Sequence, residues 1–475
     1  MSTLLSMTHV LQSTRGQLLH GLDQRPVAAC TIDSRAVGPD GLFFALPGRN
    51  TDGHHFLADA ARRGAAGAVV SRDAPLPPDL PEGFALVAVR DVPRALYELA
   101  AWYRRRLVPK VVAITGSCGK STTKELLRGI LAIAGRTAAS PGSYNNHLGV
   151  PLSILGAPPD TEYLVLEMGM NAPGEISALT RLAWPDVAVI TSVGPAHLEK
   201  LGSVEGVAAA KAEIFEGLAP GGLAVLPAGC EHTRKVERTL RDAGRRVRTF
   251  GPGGDLAIAT VARGPGPAQR AGEAPTDGLS VSTSDGVRWW IPGRSRAAAT
   301  CALAAITVAR ALGTDDAQIA AGLATFSPLP MRQRYLELAA GVIAIDDCYN
   351  ANPLSMQAAL EQLGFEGAGR RRVAVLGQMC ELGSASAHWH ALVGKAAGQA
   401  AHVVWAVGEE SRPLAAAAAA EGADVRYGAT AAEVALHLGE AVRAGDAVLV
   451  KGSRAVALES VTAALERMFP RPGRN

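Results

Sequence analysis

No two of the six cysteines (Cys30, Cys118, Cys230, Cys301, Cys348 and Cys380) stand as C-x-x-C. Their spacing suits neither a zinc site nor a small disulfide scaffold. They read as reduced thiols in a cytosolic protein. No apolar run approaches the ~18 residues of a membrane span. The start, MSTLLSMTHVLQSTRG, lacks a charged opening followed by a long apolar core, so no secretion signal is expected. A basic stripe is missing as well. The formal net charge is +3 with lysine and arginine dispersed, which argues against a nucleic-acid partner and against a charged tail. No segment repeats with a period of 20–50 residues.

What is present is an ordinary globular composition, 48% hydrophobic and 19% charged over 475 residues. At about 150 residues per domain the prior is roughly three domains. Up to about Val89, short apolar runs (Leu42–Leu46, Ala68–Val70) flank a helix expected around Phe56–Arg63. A helix follows at about Val92–Leu107, ending before Pro109. Strand runs KVVAIT, YLVLEMG, PDVAVITSVG and GGLAVLP then alternate with helices, one of them over Val204–Leu218. Such alternation predicts a mostly parallel sheet with helices on both faces. A polar Gly/Pro-rich region leads to a hairpin around LSVSTSDGVRWWIPG and two helices, about Arg296–Leu312 and Asp315–Thr325. Pro328 and Pro330 in SPLPMRQ break the pattern and mark a boundary. Beyond it GVIAIDD, RRVAVLG, HVVWAVG and DAVLVKGS predict a second open α/β sheet, and the run Ala415–Ala420 reads as helix.

The most informative stretch is VVAITGSCGKSTTKELL, Val111–Leu127. Gly119, Lys120 and Ser121 end it like a phosphate loop G-x-x-x-x-G-K-[ST], but Ile114 stands where the leading glycine belongs and Gly116 comes two places late. A strand, a glycine turn and a helix opening on G-K-S suit an anion held by backbone N–H groups and the helix N-terminus. Lys120 would reach the outer phosphates and the Ser121 hydroxyl a cation. The alternative is a strand–turn–helix that merely needed glycines. Four further segments bear on the choice. Glu167 in LEMGMN ends a strand, where ligands gather in open α/β sheets; it suits a hard cation or a helix cap. His197 in TSVGPAHLEK follows another strand and reads as a metal ligand, a base or a satisfied loop histidine. Lys211 sits amid an amphipathic helix with Val207, Ala208, Ile214, Phe215 and Leu218, and spacing alone reads it as solvated. Asn145 and Asn146 in SYNNHLGVP bind a substrate or build the turn.

Taken together these segments resemble the Mur ligase family, ATP-dependent enzymes that add amino acids to the peptidoglycan precursor. The family's loop is T-G-x-x-G-K-[ST]-[ST], and Thr115–Thr122 reads T-G-S-C-G-K-S-T, so nothing is missing from it. The resemblance spans essentially the whole chain. It implies an α/β fold of three domains. These are a small N-terminal α/β UDP-sugar-binding domain (1–90), a central mostly parallel-sheet P-loop ATPase domain (91–327) and a C-terminal Rossmann-like open α/β sheet domain (328–475). It implies that Thr115, Gly116, Ser117, Gly119, Lys120, Ser121 and Thr122 hold ATP. Ser121, Glu167, His197 and Lys211 would ligate Mg²⁺ at two sites, Lys211 as a carbamate formed with CO₂.

In the third domain IDDCYNANPLSMQAAL, LGQMCELGSASAHWH (ending at His390) and GDAVLVKGSRA resemble the branch that adds D-alanyl-D-alanine. By that resemblance Arg332 reaches the nucleotide phosphates, and Asp346, Tyr349, Asn350 and Asn352 close over the nucleotide and the reaction centre. Ser34 and Arg35, in DSR, and the segment TDGHHF (Thr51–Phe56) hold the UDP-sugar, and Asn145 and Asn146 face substrate. The implied catalytic set is Lys120, His197, Lys211 and Asp346. The implied partners are UDP-MurNAc-tripeptide and D-Ala-D-Ala, joined through an acyl phosphate by a cytoplasmic monomer. Two departures stand out. Where the family commonly has G-x-H-N-x-x-N beside the adenine, this chain has Gly293, Arg294, Ser295, Arg296, Ala297, Ala298 and Ala299, so the histidine and both asparagines of that pattern are absent. Gln378 stands where an acidic residue is frequent. The rival readings are a diaminopimelate-adding or folylpolyglutamate-type ligase of the same superfamily, and a non-catalytic nucleotide-binding homologue. No D-N-P-R segment of the diaminopimelate type is present.

Overall fold

The computed structural model describes residues 5–48, 51–266 and 277–471. Four sheets organise it. The first has five strands in the order Gln17–His20, Ala85–Val89, Gly67–Ser71, Gly41–Phe44 and Ala29–Thr31; only the outermost, Gln17–His20, runs antiparallel. The second is a six-stranded parallel sheet ordered Arg246–Phe250, Leu223–Pro227, Val187–Ile190, Lys110–Thr115, Tyr163–Glu167 and Thr137–Ala139. A three-stranded antiparallel sheet (Ile258–Pro265, Asp277–Thr283, Arg288–Pro292) is attached to it. The last sheet orders Arg334–Glu337, Ile343–Asp347, Ala447–Lys451, Arg372–Gly377, Val403–Val407 and Asp424–Gly428, with an antiparallel first edge. The fold is α/β throughout.

The central strands are buried on both faces, so side-chain alternation sorts them into two cores. Val112, Ile114, Val165 and Val189 pack beneath Leu126, Leu127, Ile130 and Leu131 of the phosphate-loop helix, Lys120–Ala134. The alanine-rich helix Arg296–Ala311 joins the same layer. Val111, Ala113, Leu164, Leu166 and Ile190 face the other way, against Leu96, Leu99, Ile176 and Leu179. That helix, Val92–Arg104, starts on an Asp91 cap whose carboxylate accepts the Arg94 N–H.

Several elements differ from expectation. The helix beginning at Val204 stops at Ala212 and tightens into a 3₁₀ turn, Glu213–Phe215, instead of running to Leu218. Glu213 is drawn aside there: its carboxylate accepts the N–H groups of Gly174 (2.7 Å) and Ser177 (3.1 Å), at the start of the helix Glu175–Ala183. The strands Arg334–Glu337 and Asp424–Gly428 carry charged residues and no apolar run, so they left no signal. Residues 267–276 of the Gly/Pro-rich region lie outside the described residues; the expected hairpin after it gains a third strand.

Candidate active site

The site begins where Lys110–Thr115 ends. The chain turns through Gly116 (φ 156°) and Gly119 (φ 83°) into the phosphate-loop helix. A Cβ at Gly116 would stand 1.9 Å from the Thr191 hydroxyl, which only glycine avoids. Residues after the neighbouring strand brace the loop: the N–H groups of Ser117 and Cys118 donate to the Ser192 carbonyl (2.9 Å) and hydroxyl (2.8 Å), and the Ser117 hydroxyl to the Gly194 carbonyl (2.9 Å). Lys120 curls back over the loop, its Nζ donating to the Gly116 carbonyl at 2.7 Å. Burial pushes its ammonium below the usual lysine range, and the charge of Glu167 partly opposes that.

Ser121 and Glu167 are both buried, and the Ser121 hydroxyl donates to Glu167 Oε2 at 2.7 Å. Asn145 Nδ2 holds the other carboxylate oxygen at 2.8 Å. Asn146 accepts the N–H groups of Leu148 (3.1 Å) and Gly149 (2.8 Å), so its Oδ1 builds the turn. Lys211 is 2% exposed, against the solvated position that spacing alone predicts. It borders the same cavity as Lys120, Glu167 and His197. Burial first, and then the charge of Lys120, drives its pKa well below that of a free lysine. Such a group sheds its proton readily. His197 sits at φ 55° with Nδ1 2.6 Å from Glu381 Oε2, and that imidazole holds the Glu381 carboxyl below its usual range.

The C-terminal sheet brings further residues over the loop. The Arg332 guanidinium lies 4.0 Å from the centre of the Tyr349 ring, and the Tyr349 hydroxyl donates to Ser143 Oγ at 2.7 Å. Asn352 caps the helix Pro353–Glu366, while its Nδ2 donates to the Ser117 carbonyl at 3.2 Å and its Oδ1 accepts from Cys118 Sγ at 3.3 Å. Lys451 Nζ is held by Asp347 Oδ2 (2.8 Å) and the Asn350 carbonyl (3.0 Å). Thr122, Asn145, Asn146, Tyr349, Asn350 and Arg332 all border one cavity of about 460 Å³ between the central and C-terminal sheets.

Asp346 is a correction. It was expected over the reaction centre, but it turns to the opposite face of its strand, where Cys348 Sγ (3.1 Å) and Thr462 Oγ1 (3.5 Å) donate to it. Strand alternation gives the cavity face to Asp347. A D-D pair at a strand end leaves that choice open in the sequence. Ser34 and Arg35 lie in the N-terminal domain, outside this cavity. Arg35 forms a two-pronged pair with Asp33 (2.9 and 2.8 Å), whose carboxyl it lowers to about 2. His390 is fully buried, its Nε2 accepting the Met379 N–H. Asp347 and Lys451 border the cavity and Glu381 meets His197, each inside one of the segments IDDCYNANP, GDAVLVKGSRA and LGQMCELG, where the sequence alone does not distinguish it from its neighbours.

The altered segment 293–299 is also accounted for. Arg294 bonds Asp277 (2.9 Å) and Glu337, and Ser295 bonds Gln333. The buried amide of Gln362 spans the segment's backbone, donating to the Arg294 carbonyl (3.0 Å) and accepting the Arg296 N–H (3.1 Å). Here these polar groups tie the central domain to the C-terminal one, and Gly293, Arg294 and Ser295 border the cavity together with Ala297 and Ala298.

Among the described residues no three His, Cys, Asp or Glu side chains cluster as a complete metal cage. The hydroxyl of Ser121 with the Asn145-oriented carboxylate of Glu167 still fits Mg²⁺, a hard cation that takes few protein oxygens and completes its shell with phosphate and water.

Comparison with known proteins agrees with this geometry. Profiles described as Mur ligase family catalytic domain, Mur ligase middle domain, and Mur ligase glutamate ligase domain match residues 26–104, 114–264 and 331–454. The chain is 37% identical to the UDP-N-acetylmuramoyl-tripeptide–D-alanyl-D-alanine ligase of Escherichia coli K12, across 98% of each. It is 33% identical to the enzyme of that name from Bacillus subtilis 168, across 81% of each. Among solved structures, MurF from Acinetobacter baumannii superposes with a TM-score of 0.83 at 30% identity, covering 98% of this chain and 100% of that one. MurF from Thermotoga maritima in complex with ADP gives 0.75 at 29%, covering 92% and 97%. The chain belongs to the Mur ligase family.

Proposed function

We propose that this protein is the ATP-dependent ligase that joins D-alanyl-D-alanine to UDP-N-acetylmuramoyl-tripeptide in peptidoglycan precursor synthesis. The observation that carries the reading is the one cavity bordered by the phosphate loop, Glu167, His197 and Lys211 on one side and by Arg332, Tyr349, Asn350 and Asn352 on the other. ATP binds there; the relatives over nearly the full chain, and the ADP complex among them, support this. No observation favours the diaminopimelate-adding, folylpolyglutamate or non-catalytic alternatives.

In the first step the tripeptide's terminal carboxylate attacks the γ-phosphorus of ATP. A carboxylate O–P bond forms, the bond to the β-phosphate oxygen breaks, and ADP leaves. Two anions must approach, so charge neutralisation is the catalytic problem. Lys120 exchanges the Gly116 carbonyl for phosphate oxygens, and the loop N–H groups hold the β-phosphate. Arg332, stacked on Tyr349, faces the same cavity. Magnesium, when bound, supplies further positive charge to the phosphate oxygens; Ser121 and Glu167 would hold one ion, His197 and Lys211 a second. Lys211 would do so as a carbamate: its neutral nitrogen attacks CO₂, an N–C bond forms and one proton leaves. Burial shifts that nitrogen toward its neutral form, which supports the assignment. In the second step the free amine of the dipeptide attacks the acyl carbon, and phosphate leaves from the tetrahedral intermediate.

The domains are 1–90 for the UDP-sugar with Ser34 and Arg35, 91–327 for ATP, and 328–475 for closure over it. The test is phosphate release from ATP with UDP-MurNAc-tripeptide, with and without D-Ala-D-Ala, single D-amino acids alongside. Release that needs the dipeptide is expected. Release only with a single amino acid would discard the branch, and none with any acceptor would discard catalysis.

A further inference from the structure

Lys124 has no part in the chemistry above, yet its side chain is fully buried. It lies one helical turn beyond Lys120 on the phosphate-loop helix. An ammonium carries three donors, and all three are spent. Nζ donates to the Ser140 carbonyl at 2.7 Å and to the Gly142 carbonyl at 2.6 Å, and stands 3.1 Å from Glu125 Oε1. Both carbonyls belong to a segment with no regular structure, and Ser140 is buried there, where an acceptor without a partner is costly.

That segment, 140–146, handles Glu167 twice. The Ser140 hydroxyl accepts the Glu167 N–H at 3.1 Å, and Asn145 Nδ2 donates to Glu167 Oε1 at 2.8 Å. It is fixed to the sheet by Ser140 N–H to the Val165 carbonyl (2.9 Å) and by Gly169 N–H to the Asn145 carbonyl (2.7 Å). Between those points Ser143 receives the Tyr349 hydroxyl from the C-terminal domain. The helix that carries Ser121 therefore also carries the lysine that shapes the loop orienting Ser121's partner carboxylate.

We infer that Lys124 is a positioning residue: it holds loop 140–146 so that Glu167 faces the cation beside Ser121 and Ser143 stands ready for Tyr349. The inference rests on Glu167 being a cation ligand, as proposed above. Residues that orient a metal ligand typically change affinity 10- to 100-fold when removed.

The experiment titrates Mn²⁺ with ADP by electron paramagnetic resonance into the full-length protein, alongside thermal unfolding. Lys124→Met keeps the stem and removes the donors; Leu131→Ala, a buried change on the same helix, controls for lost stability alone. Lys124→Met is expected to weaken Mn²⁺ about 10-fold or more, while Leu131→Ala lowers the melting temperature with Mn²⁺ affinity unchanged. If Lys124→Met does not fold, Ser140→Ala, which cuts one link to Glu167 and leaves the lysine in place, carries the same expectation. A folded Lys124→Met or Ser140→Ala with wild-type Mn²⁺ affinity overturns the inference, as does an equal loss in Leu131→Ala. Wild-type protein that binds no Mn²⁺ with ADP would instead remove the cation-site reading beneath it.

Discussion

Lys211 concentrates the chemistry into one nitrogen. Lys211→Ala is expected to nearly abolish turnover, and added bicarbonate not to restore it; a variant that kept its rate would sink the carbamate. The same burial predicts a pH effect on stability. A lysine whose pKa is depressed in the folded state has released a proton that the unfolded chain still holds, so unfolding takes up protons and stability rises with pH. The window runs from the depressed value up to lysine's ordinary 10.5. In CO₂-free buffer, thermal unfolding across that window should show stability rising by up to about 1.4 kcal/mol per pH unit for a fully linked proton. Lys211→Met should reduce the slope, leaving the smaller share of Lys120. What spacing could not tell about Lys211 is what the fold supplies, since a helix position is buried or wet according to what packs on it. Asp346 and Asp347 make the same point from a strand: alternation says that one faces the cavity, and the sheet's placement says which.

Among the elements, the phosphate-loop helix and the helix Asp316–Ala324 approach closely enough to demand glycine. A Cβ at Gly322 would lie 2.2 Å from Ile130 Cα. Alanine favours an isolated helix over glycine by about 1 kcal/mol, but overpacking costs about 1–3 kcal/mol. Gly322→Ala is therefore expected to lower the melting temperature by several degrees, and a rise would show that the helices separate freely. Most strands with both faces buried were legible, as in KVVAIT and DAVLVK, because a continuous apolar run marks them. The edge strands Arg334–Glu337 and Asp424–Gly428 were not, because a wet edge needs no apolar run. The shortened helix at Ala212 was hidden too, since Glu213 is diverted by a partner some 36–39 residues earlier in the chain.

Across the whole molecule, the phosphate loop, its residues and the order of motifs were readable in one dimension. The inter-domain contacts were not, because each joins residues far apart in sequence, as Tyr349–Ser143 and Asn352–Ser117 do. A double-mutant cycle of Tyr349→Phe with Ser143→Ala should give a coupling of about 1 kcal/mol in ATP binding; strictly additive effects would mean that the domains do not meet this way while ATP is bound.

Tyr349 on Ser143, Asn352 on Ser117 and Glu381 against His197 are three of the feet on which the C-terminal sheet stands above the central one, beside the ties made by Arg294, Ser295 and Gln362. Three feet fix a plane, whereas two leave an axis to rock about. A small molecule wedged under any one foot would tilt the upper domain off its footing, so an inhibitor of this enzyme need not imitate ATP or occupy its place.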